Sequence, residues 1–114
     1  MKSCLITGCG GFIGSHLAAY LLERGVAVWG LFHRHRTKGE YDRRLRALQV
    51  DILDADALSR AVAEAEPDTI FHLAAQTLLS TSWQQPEETL RTNVLGTLHV
   101  LQAAEAVTTS PTVV

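Results

Sequence analysis

Three glycines recur at every third residue near the start of the chain, in the segment Thr7-Gly8-Cys9-Gly10-Gly11-Phe12-Ile13-Gly14. Glycine at Gly8 permits a tight turn, at Gly11 it lets the backbone approach a phosphate, and at Gly14 it lets a helix pack closely on a strand. A short apolar run precedes the loop, and a helical apolar pattern begins at Ile13. This strand–turn–helix context predicts a dinucleotide-binding loop with a helix N-terminus at the pyrophosphate, whereas a plain turn is the alternative.

The end of the second apolar run decides between nicotinamide cofactors in such folds. An acidic residue there accepts hydrogen bonds from the ribose of NAD, whereas a basic residue pairs with the 2′-phosphate of NADP. Here the run leads into His33–Arg36, and no carboxylate follows before Glu40. Because a guanidinium holds a phosphate through two parallel hydrogen bonds, we predict NADP rather than NAD, with Arg34 as the clamp and His33 or Arg36 assisting.

The basic residues are unevenly distributed along the chain. Six of the ten fall within 13 residues: Arg34, Arg36, Lys38, Arg43, Arg44 and Arg46. A solvated basic loop is one alternative explanation, since runs of charge are often surface loops. A nucleic-acid patch is another, but Tyr41 is the stretch's one aromatic residue besides histidine and the net charge is −2, so we expect no nucleic-acid partner.

Short apolar runs alternate with helical patterns at the spacing of βαβ units. Strands are predicted over residues 2–7, 26–32, 48–52 and 69–73, and a fifth begins at 112–114. Helices are predicted from Ile13 to a cap at Gly25, from a cap at Asp54 or Asp56, and from Pro86, with an apolar stripe on the last helix. The stripe consists of Leu90, Val94, Leu98 and Leu101. This α/β pattern predicts a Rossmann-type, doubly wound parallel sheet, of which the chain holds the N-terminal portion through about four strands.

The composition is that of an ordinary globular protein, with 114 residues, 46% hydrophobic and 19% charged. Cys4 and Cys9 are badly placed for a disulfide, and free thiols are typical of a reducing compartment. No signal-type segment and no apolar run of roughly 20 residues is present, so we expect a soluble, cytoplasmic protein without a membrane partner. The three histidines His16, His72 and His99 lack the spacing of metal ligands, and we expect them to be structural and no metal to bind.

Four segments in this order resemble the extended short-chain dehydrogenases, the NAD-dependent epimerase/dehydratase group: Thr7–Leu17, Asp51–Asp54, Pro67–Gln76 and Thr92–Thr97. The three-residue glycine spacing is the variant belonging to short-chain dehydrogenases. Two details are most similar to GDP-mannose 4,6-dehydratases and GDP-4-keto-6-deoxymannose reductases. One is Trp29-Gly30-Leu31 followed by basic residues, and the other is the sequence His-Leu-Ala-Ala-Gln followed by Ser82–Pro86.

The resemblance implies roles for individual residues. Asp51 would contact the adenine amino group and Ile52 would pack on the base, while Leu73, Ala74 and Ala75 would line the cofactor. Gln76 and Ser82 would face the nicotinamide and the sugar, and Asn93 matches a helix asparagine that supports the active site. The predicted cofactor-binding residues are therefore Gly8, Gly11, Phe12, Ile13, Gly14, His33, Arg34, Arg36, Asp51, Ile52, Leu73, Ala74, Ala75 and Gln76. The alternatives are that Asp51 only caps a turn, that the alanines only pack, and that Asn93 bonds within its own helix.

The family's chemistry uses a Tyr-x-x-x-Lys pair with a serine or threonine, and the lysine lowers the pKa of the tyrosine. Neither of the two tyrosines fits, because Arg24 follows Tyr20 by four residues and Leu45 follows Tyr41 by four. We therefore assign no catalytic residue and expect no activity from these 114 residues alone, with the substrate domain absent. The resemblance implies that the intact enzyme is a homo-oligomer that oxidises or reduces C4 of a nucleotide sugar by hydride transfer, as a dehydratase, epimerase or reductase. A non-catalytic NADP sensor and a structural module with a vestigial loop are the alternatives.

If the later strands of the sheet are missing, the fourth strand should present an open apolar edge to water. We therefore expect the 114-residue chain to be marginally stable or to self-associate.

Overall fold

The computed structural model describes residues 1–33, 42–75 and 83–114. Five strands lie in these segments: β1 (Ser3–Thr7), β2 (Ala27–Phe32), β3 (Arg46–Gln49), β4 (Thr69–His72) and β5 (Thr112–Val113). The helices are α1 (Phe12–Glu23), α2 (Ala55–Ala65), α3 (Pro86–Leu90) and α4 (Gly96–Glu105), and a π-helical turn at Arg91–Leu95 joins α3 to α4. No helix within the described segments is long and apolar enough to cross a membrane.

All five strands form one parallel sheet in the order β3-β2-β1-β4-β5. The chain builds outward from β1 through β2 to β3 and then returns to place β4 on the other side of β1. This reversal is the switch point of a doubly wound sheet, and ligands bind outside the carboxyl ends of the strands that flank it. The predicted α/β Rossmann-type class is confirmed.

The prediction of an uncovered β4 edge is wrong. Residues at the end of the chain pair with β4, with Thr69 opposite Thr112 and Ile70 opposite Val113. The backbone N–H of Val114 donates to the Ile70 carbonyl at 2.8 Å, and the His72 N–H donates to the Val114 oxygen at 2.9 Å. The fifth strand predicted to begin at 112–114 is therefore present, and the sheet has five strands in the described residues.

Local signals in the sequence account for the ends of the first two helices. The backbone N–H groups of Gly25 and Val26 donate to the carbonyls of Leu22 and Leu21, and Gly25 has a φ of 78°. This is the hydrogen-bond pattern of a glycine-terminated helix, as predicted. At the start of α2, the Asp54 side chain accepts a hydrogen bond from the Ala57 N–H, so Asp54 rather than Asp56 is the N-cap.

Two apolar clusters cover the two faces of the sheet. Because side chains alternate along a strand, Leu5 of β1 faces one cluster while Cys4 and Ile6 face the other. Helix α1 packs in the second cluster, and α2 and α4 pack in the first. The predicted inner face of α2 is confirmed, since all four of its residues are buried: Leu58, Ala61, Val62 and Ala65.

The apolar stripe on the last helix faces outward. Leu90, Val94, Leu98 and Leu101 have exposed fractions of 64%, 55%, 45% and 50%. The face of α4 that packs on the sheet consists of small residues and one valine, namely Gly96, Val100, Ala103 and Ala104. The helix is therefore apolar on both sides.

Candidate functional site

A cleft of ≈ 670 Å³ lies at the carboxyl ends of the strands, around the switch point between β1 and β4. Eleven of the predicted site residues line it: Gly8, Gly11, Phe12, Ile13, Gly14, His33, Asp51, Ile52, Leu73, Ala74 and Ala75. They come from four separate segments that the parallel sheet brings to one edge. Of the other predicted residues, Arg34, Arg36, Gln76 and Ser82 lie outside the described part of the chain, and Asn93 is described but does not line the cleft.

The glycine loop forms the floor of the cleft through close backbone approaches. Gly8 has a φ of 67°, and a Cβ there would lie 2.8 Å from the Ala74 nitrogen and 2.9 Å from the Leu73 carbonyl carbon. A Cβ at Gly14 would overlap the Gly8 carbonyl oxygen, so α1 packs against the loop only because this residue has no side chain. The Cys9 N–H donates to the Leu31 carbonyl at 3.1 Å, which ties the loop to the end of β2.

The N-terminus of α1 opens into this cleft. Gly11 is its N-cap, no side chain caps it, and its first turn has no acidic residue. Phe12 and Ile13 are large apolar residues that nevertheless have exposed fractions of 80% and 66% beside it. First-turn N–H groups have no partner within their helix, and they carry the positive end of the helix dipole. The loop therefore fits the pyrophosphate of a dinucleotide, with an apolar surface alongside for its rings.

A second wall of the cleft is the turn between β3 and α2. The Asp51 carboxylate accepts the Leu53 N–H at 2.9 Å, and its other oxygen lies 3.7 Å from His33 Nε2. Asp51 thus closes a turn, as one of the alternatives proposed, and lines the cleft as well. Ile52 is buried behind it, and its carbonyl accepts a hydrogen bond from His99 Nδ1 at 2.7 Å.

The third wall is the segment that follows β4. The hydroxyl of Thr7, at the end of β1, accepts the N–H groups of Leu73 at 3.0 Å and Ala74 at 3.1 Å. Thr7 is fully buried, so these bonds are shielded from water. Because the side chains of Ala74 and Ala75 are small, they leave space for a ligand next to this wall of the cleft.

One protein-family model, described as GDP-mannose 4,6 dehydratase, matches residues 5–114. The chain belongs to this family. The predicted membership in the epimerase/dehydratase group is confirmed.

The names of individual relatives include several different nucleotide sugars. The chain is 37% identical to a GDP-mannose 4,6-dehydratase of Vibrio cholerae serotype O1, in a match covering 90% of this chain and 31% of the relative. It is 36% identical to a CDP-glucose 4,6-dehydratase of Salmonella typhimurium, covering 93% of this chain and 31% of the relative. The chain therefore spans about a third of the length of these curated relatives.

Solved structures of related enzymes have the same fold. The UDP-glucose 4-epimerase of Thermus thermophilus, solved in complex with NAD, superposes with a TM-score of 0.83 at 35% identity. The match covers 90% of this chain and 33% of the epimerase. The chain thus corresponds in fold to part of a nicotinamide-dependent enzyme.

Part of the basic cluster is held by local partners rather than directed at the cleft. Arg44 donates to the carboxylates of Asp42 and Glu23, each at 2.7 Å, and its hydrogen bonds lower the pKa of Asp42 to about 2. Arg46 lies over the ring of Trp29, 5.2 Å from its centroid. These two arginines agree with the alternative of a surface basic segment.

Asn93 lies near the cleft without lining it. Its neighbour Thr92 lines the cleft, while the Asn93 carbonyl oxygen accepts the Thr97 hydroxyl at 2.6 Å. Tyr20 lies on α1 with the Arg24 guanidinium 3.6 Å above its ring, and it does not line the cleft. Among the described residues, this arrangement offers no family-type tyrosine and lysine pair.

Six lining residues were missed from the sequence: Leu31, Val50, Leu53, Gln85, Glu88 and Thr92. Three of them adjoin a predicted site residue, since Val50 and Leu53 flank Asp51–Ile52 and Thr92 precedes Asn93. Including the immediate neighbours of each predicted site residue would have found them. Gln85 and Glu88 have no such signal, because they reach the cleft only through the placement of α3.

Proposed function

We propose that the chain is the N-terminal, cofactor-binding portion of an enzyme that modifies nucleotide sugars by hydride transfer at C4. The observation that carries this proposal is the N-terminus of α1, which no side chain caps and which lies in the same cleft as Asp51–Ile52 and Leu73–Ala75. The family supports it, since the named relatives are dehydratases and epimerases of nucleotide sugars. The bound nicotinamide would supply the hydride acceptor or donor.

Each wall of the cleft would bind one part of the cofactor. The N–H groups of the α1 N-terminus would hold the pyrophosphate, and Gly11 would let the phosphate approach the backbone. Asp51 would accept from the adenine amino group while Ile52 packs on the base. The wall at Ala74 and Ala75 would admit the ribose and nicotinamide, with Gln76 and Ser82 on the sugar side.

We further propose that the cofactor is NADP. Support comes from the end of β2, where His33 is exposed at the cleft and no carboxylate follows before Glu40. Arg34 is the proposed clamp on the 2′-phosphate, with His33 or Arg36 assisting. NAD is the alternative, because the solved Thermus relative holds NAD.

The 114 residues would bind cofactor but would not turn over substrate, because the proposal places the catalytic tyrosine, lysine and serine or threonine in a later part of the natural protein. Elsewhere in that protein we expect a sugar-binding domain. The printed names of relatives include GDP-mannose, CDP-glucose and UDP-glucose, so the choice of base is left open. A cytoplasmic location stays a prediction.

A homo-oligomer of the full-length protein is also part of the proposal. The outward stripe of α3 and α4 supports it, because four neighbouring leucine and valine side chains are each at least 45% exposed in the described chain. Apolar patches of this kind mark surfaces that another protein segment covers. Light scattering of the full-length protein should give the mass of two or more chains. The mass of a single chain would contradict the proposed oligomer.

The experiment for the proposed function compares two glycine variants of the full-length protein. Gly11→Ala adds a methyl group where a phosphate would approach, while Gly25→Ala changes a glycine at the far end of the same helix. We expect Gly11→Ala to weaken NADPH binding by about tenfold or more, the loss that follows when one charge-assisted hydrogen bond is broken. Equal affinities of the two variants would contradict the assignment of the loop. The alternative, a non-catalytic sensor, predicts NADPH binding without turnover of any nucleotide sugar by the full-length protein.

A further inference from the structure

The hydroxyl of Thr7 has three partners. Besides the Leu73 and Ala74 N–H groups, it lies 2.8 Å from Nδ1 of His72, which is its register partner across β1 and β4. A hydroxyl has two lone pairs and one proton, and a backbone N–H can only donate. Both lone pairs are therefore engaged, so the Thr7 proton must be donated to His72 Nδ1.

This assignment determines the protonation of the imidazole ring. Since Nδ1 accepts, the ring is neutral and its proton is on Nε2. Nε2 lies 3.0 Å from the Thr97 hydroxyl, and that hydroxyl lies 2.6 Å from the Asn93 carbonyl oxygen. The donors are therefore fixed along the whole network: Thr7 donates to His72, His72 donates to Thr97, and Thr97 donates to the Asn93 carbonyl.

The network joins three elements around the cleft. Thr7 precedes the glycine loop, His72 precedes the Leu73–Ala75 wall, and Thr97 lies in the first turn of α4. Thr7 is fully buried and His72 is partly buried, so water competes poorly for these bonds. The orientation of the Thr7 hydroxyl on β1 therefore depends on His72 on β4, and the orientation of the His72 ring depends on Thr97 on α4.

We propose that His72 is a positioning residue for the cofactor site. Its neutral Nε2–H form takes the Thr7 proton, which directs the Thr7 lone pairs at the Leu73 and Ala74 N–H groups and fixes that wall against the bound dinucleotide. This inference rests on the proposed function, because it assigns the wall to a cofactor. It adds a residue that does not line the cleft and acts only through Thr7.

Protonation of the ring should disturb the wall. A second proton on Nδ1 would face the Thr7 oxygen, which could accept it only by releasing a backbone N–H. The ring's partners on β1 and α4 are hydroxyl groups, and on β5 the Val114 oxygen accepts the His72 main-chain N–H. Burial lowers the pKa of His72, and no charged side chain of the described segments contributes to that shift.

The first test needs no cofactor. Long-range proton–nitrogen correlation spectra of the full-length protein labelled with ¹⁵N-histidine report the tautomer, and the His72→Asn variant identifies the signal. We expect an unprotonated Nδ1 and a protonated Nε2 at neutral pH. The opposite tautomer, or a charged ring, would overturn the proposal without bearing on whether the protein binds a dinucleotide.

The second test measures the dissociation constant of NADPH at pH 8. His72→Asn keeps an acceptor near the Nδ1 position and should bind NADPH like the wild type, whereas His72→Leu offers no acceptor and should bind roughly fivefold more weakly at pH 8. Thr7→Val, which removes the hydroxyl, should weaken binding on the order of tenfold at pH 8. Equal affinities of the wild type and His72→Leu at pH 8 would refute the positioning role.

A matched control distinguishes the loss of this network from the loss of any threonine hydroxyl in a helix. Thr89 donates to the Gln85 carbonyl at 3.1 Å within its own helix, as Thr97 does to Asn93, but it neither lines the cleft nor contacts His72. Thr97→Val should weaken NADPH binding while Thr89→Val should not. Equal effects of both would contradict the proposal, and an absence of NADPH binding by the wild type would overturn the proposed function and the positioning role together.

Discussion

Gly8 and Ala74 lie in such close contact that a Cβ on the glycine would be 2.8 Å from the alanine nitrogen. The loop after β1 and the segment after β4 therefore touch directly at the switch point of the sheet. Backbone packs on backbone at this contact, so no side chain fits between the two segments.

Gly8→Ala should be strongly destabilising. The φ of 67° is unfavourable for alanine, and its methyl group would also overlap the backbone at Leu73 and Ala74. We expect a loss of about 3 kcal/mol in the free energy of unfolding, measured by urea denaturation. Gly25→Ala is the matched control, since its φ of 78° carries the strain but nothing lies within 4 Å, and about 1 kcal/mol is expected there. Equal losses would show that the close contact is absent.

Asp54→Ala should destabilise α2 by about 1 kcal/mol, the usual effect of losing an N-cap. The Asp54 carboxylate accepts the Ala57 N–H at 3.1 Å. Asp56→Ala serves as control, because Asp56 lies in the first turn and contributes only through the helix dipole, about 0.5 kcal/mol. Thermal unfolding followed by circular dichroism would rank the two, and a larger effect at Asp56 would contradict the assignment of the cap.

The Cys4 thiol should be unreactive in the folded protein. Burial raises its pKa to about 12, with further contributions from the charges of Asp68 and Cys9. Because the thiolate is the reactive form, the reaction with a disulfide reagent at pH 8 should be slow until denaturant is added. Mass spectrometry of the labelled peptides would identify the cysteine. Rapid labelling of Cys4 under native conditions would show that the strand opens readily.

Stability should decrease as the pH falls below about 6.5, the ordinary pKa of histidine in an unfolded chain. Burial lowers the pKa of His72 in the folded state, so below that pH the unfolded state binds more protons than the folded state. The contribution of His72 is therefore fully present above the unfolded pKa and is lost as the pH falls toward the folded pKa. Urea midpoints measured from pH 8 to pH 5 would show this slope, and His72→Asn should reduce it. If His72→Asn leaves the slope unchanged, groups other than His72 cause the pH dependence.

Local patterns were sufficient to predict the strands, the glycine loop and the caps. Gly8, Gly25 and Asp54 act on residues close to them in sequence, and short-range signals of this kind can be found without a structure. Strand β3 was predicted over residues 48–52 but spans Arg46–Gln49. Because Asp51 closes a turn, the extended segment ends at Gln49 rather than at Ile52.

Contacts between distant residues could not be predicted in this way. Thr7 and His72 are 65 residues apart, and Thr97 follows His72 by 25. Their pairing depends on the register of β4 against β1 and on the position of α4, which periodicity does not encode. Likewise, the pattern of Leu90 to Leu101 identifies an apolar stripe but not which side of the helix meets the sheet. In α4 the smaller side chains pack there, because Gly96 lets the helix approach Ile52.

The proposed NADP site lies in the cleft at the β1–β4 switch point. Titration of the full-length protein with NADPH and with NADH, followed by nicotinamide fluorescence, tests it most directly, with Arg34→Ala as the variant and Arg60→Ala of the exposed α2 surface as the control. We expect tighter binding of NADPH than of NADH. Arg34→Ala should reduce this preference by about tenfold or more, as removal of a guanidinium–phosphate pair should, while Arg60→Ala should keep it. Binding of neither nucleotide would contradict the dinucleotide site itself, and a preference for NADH would contradict the assignment of NADP.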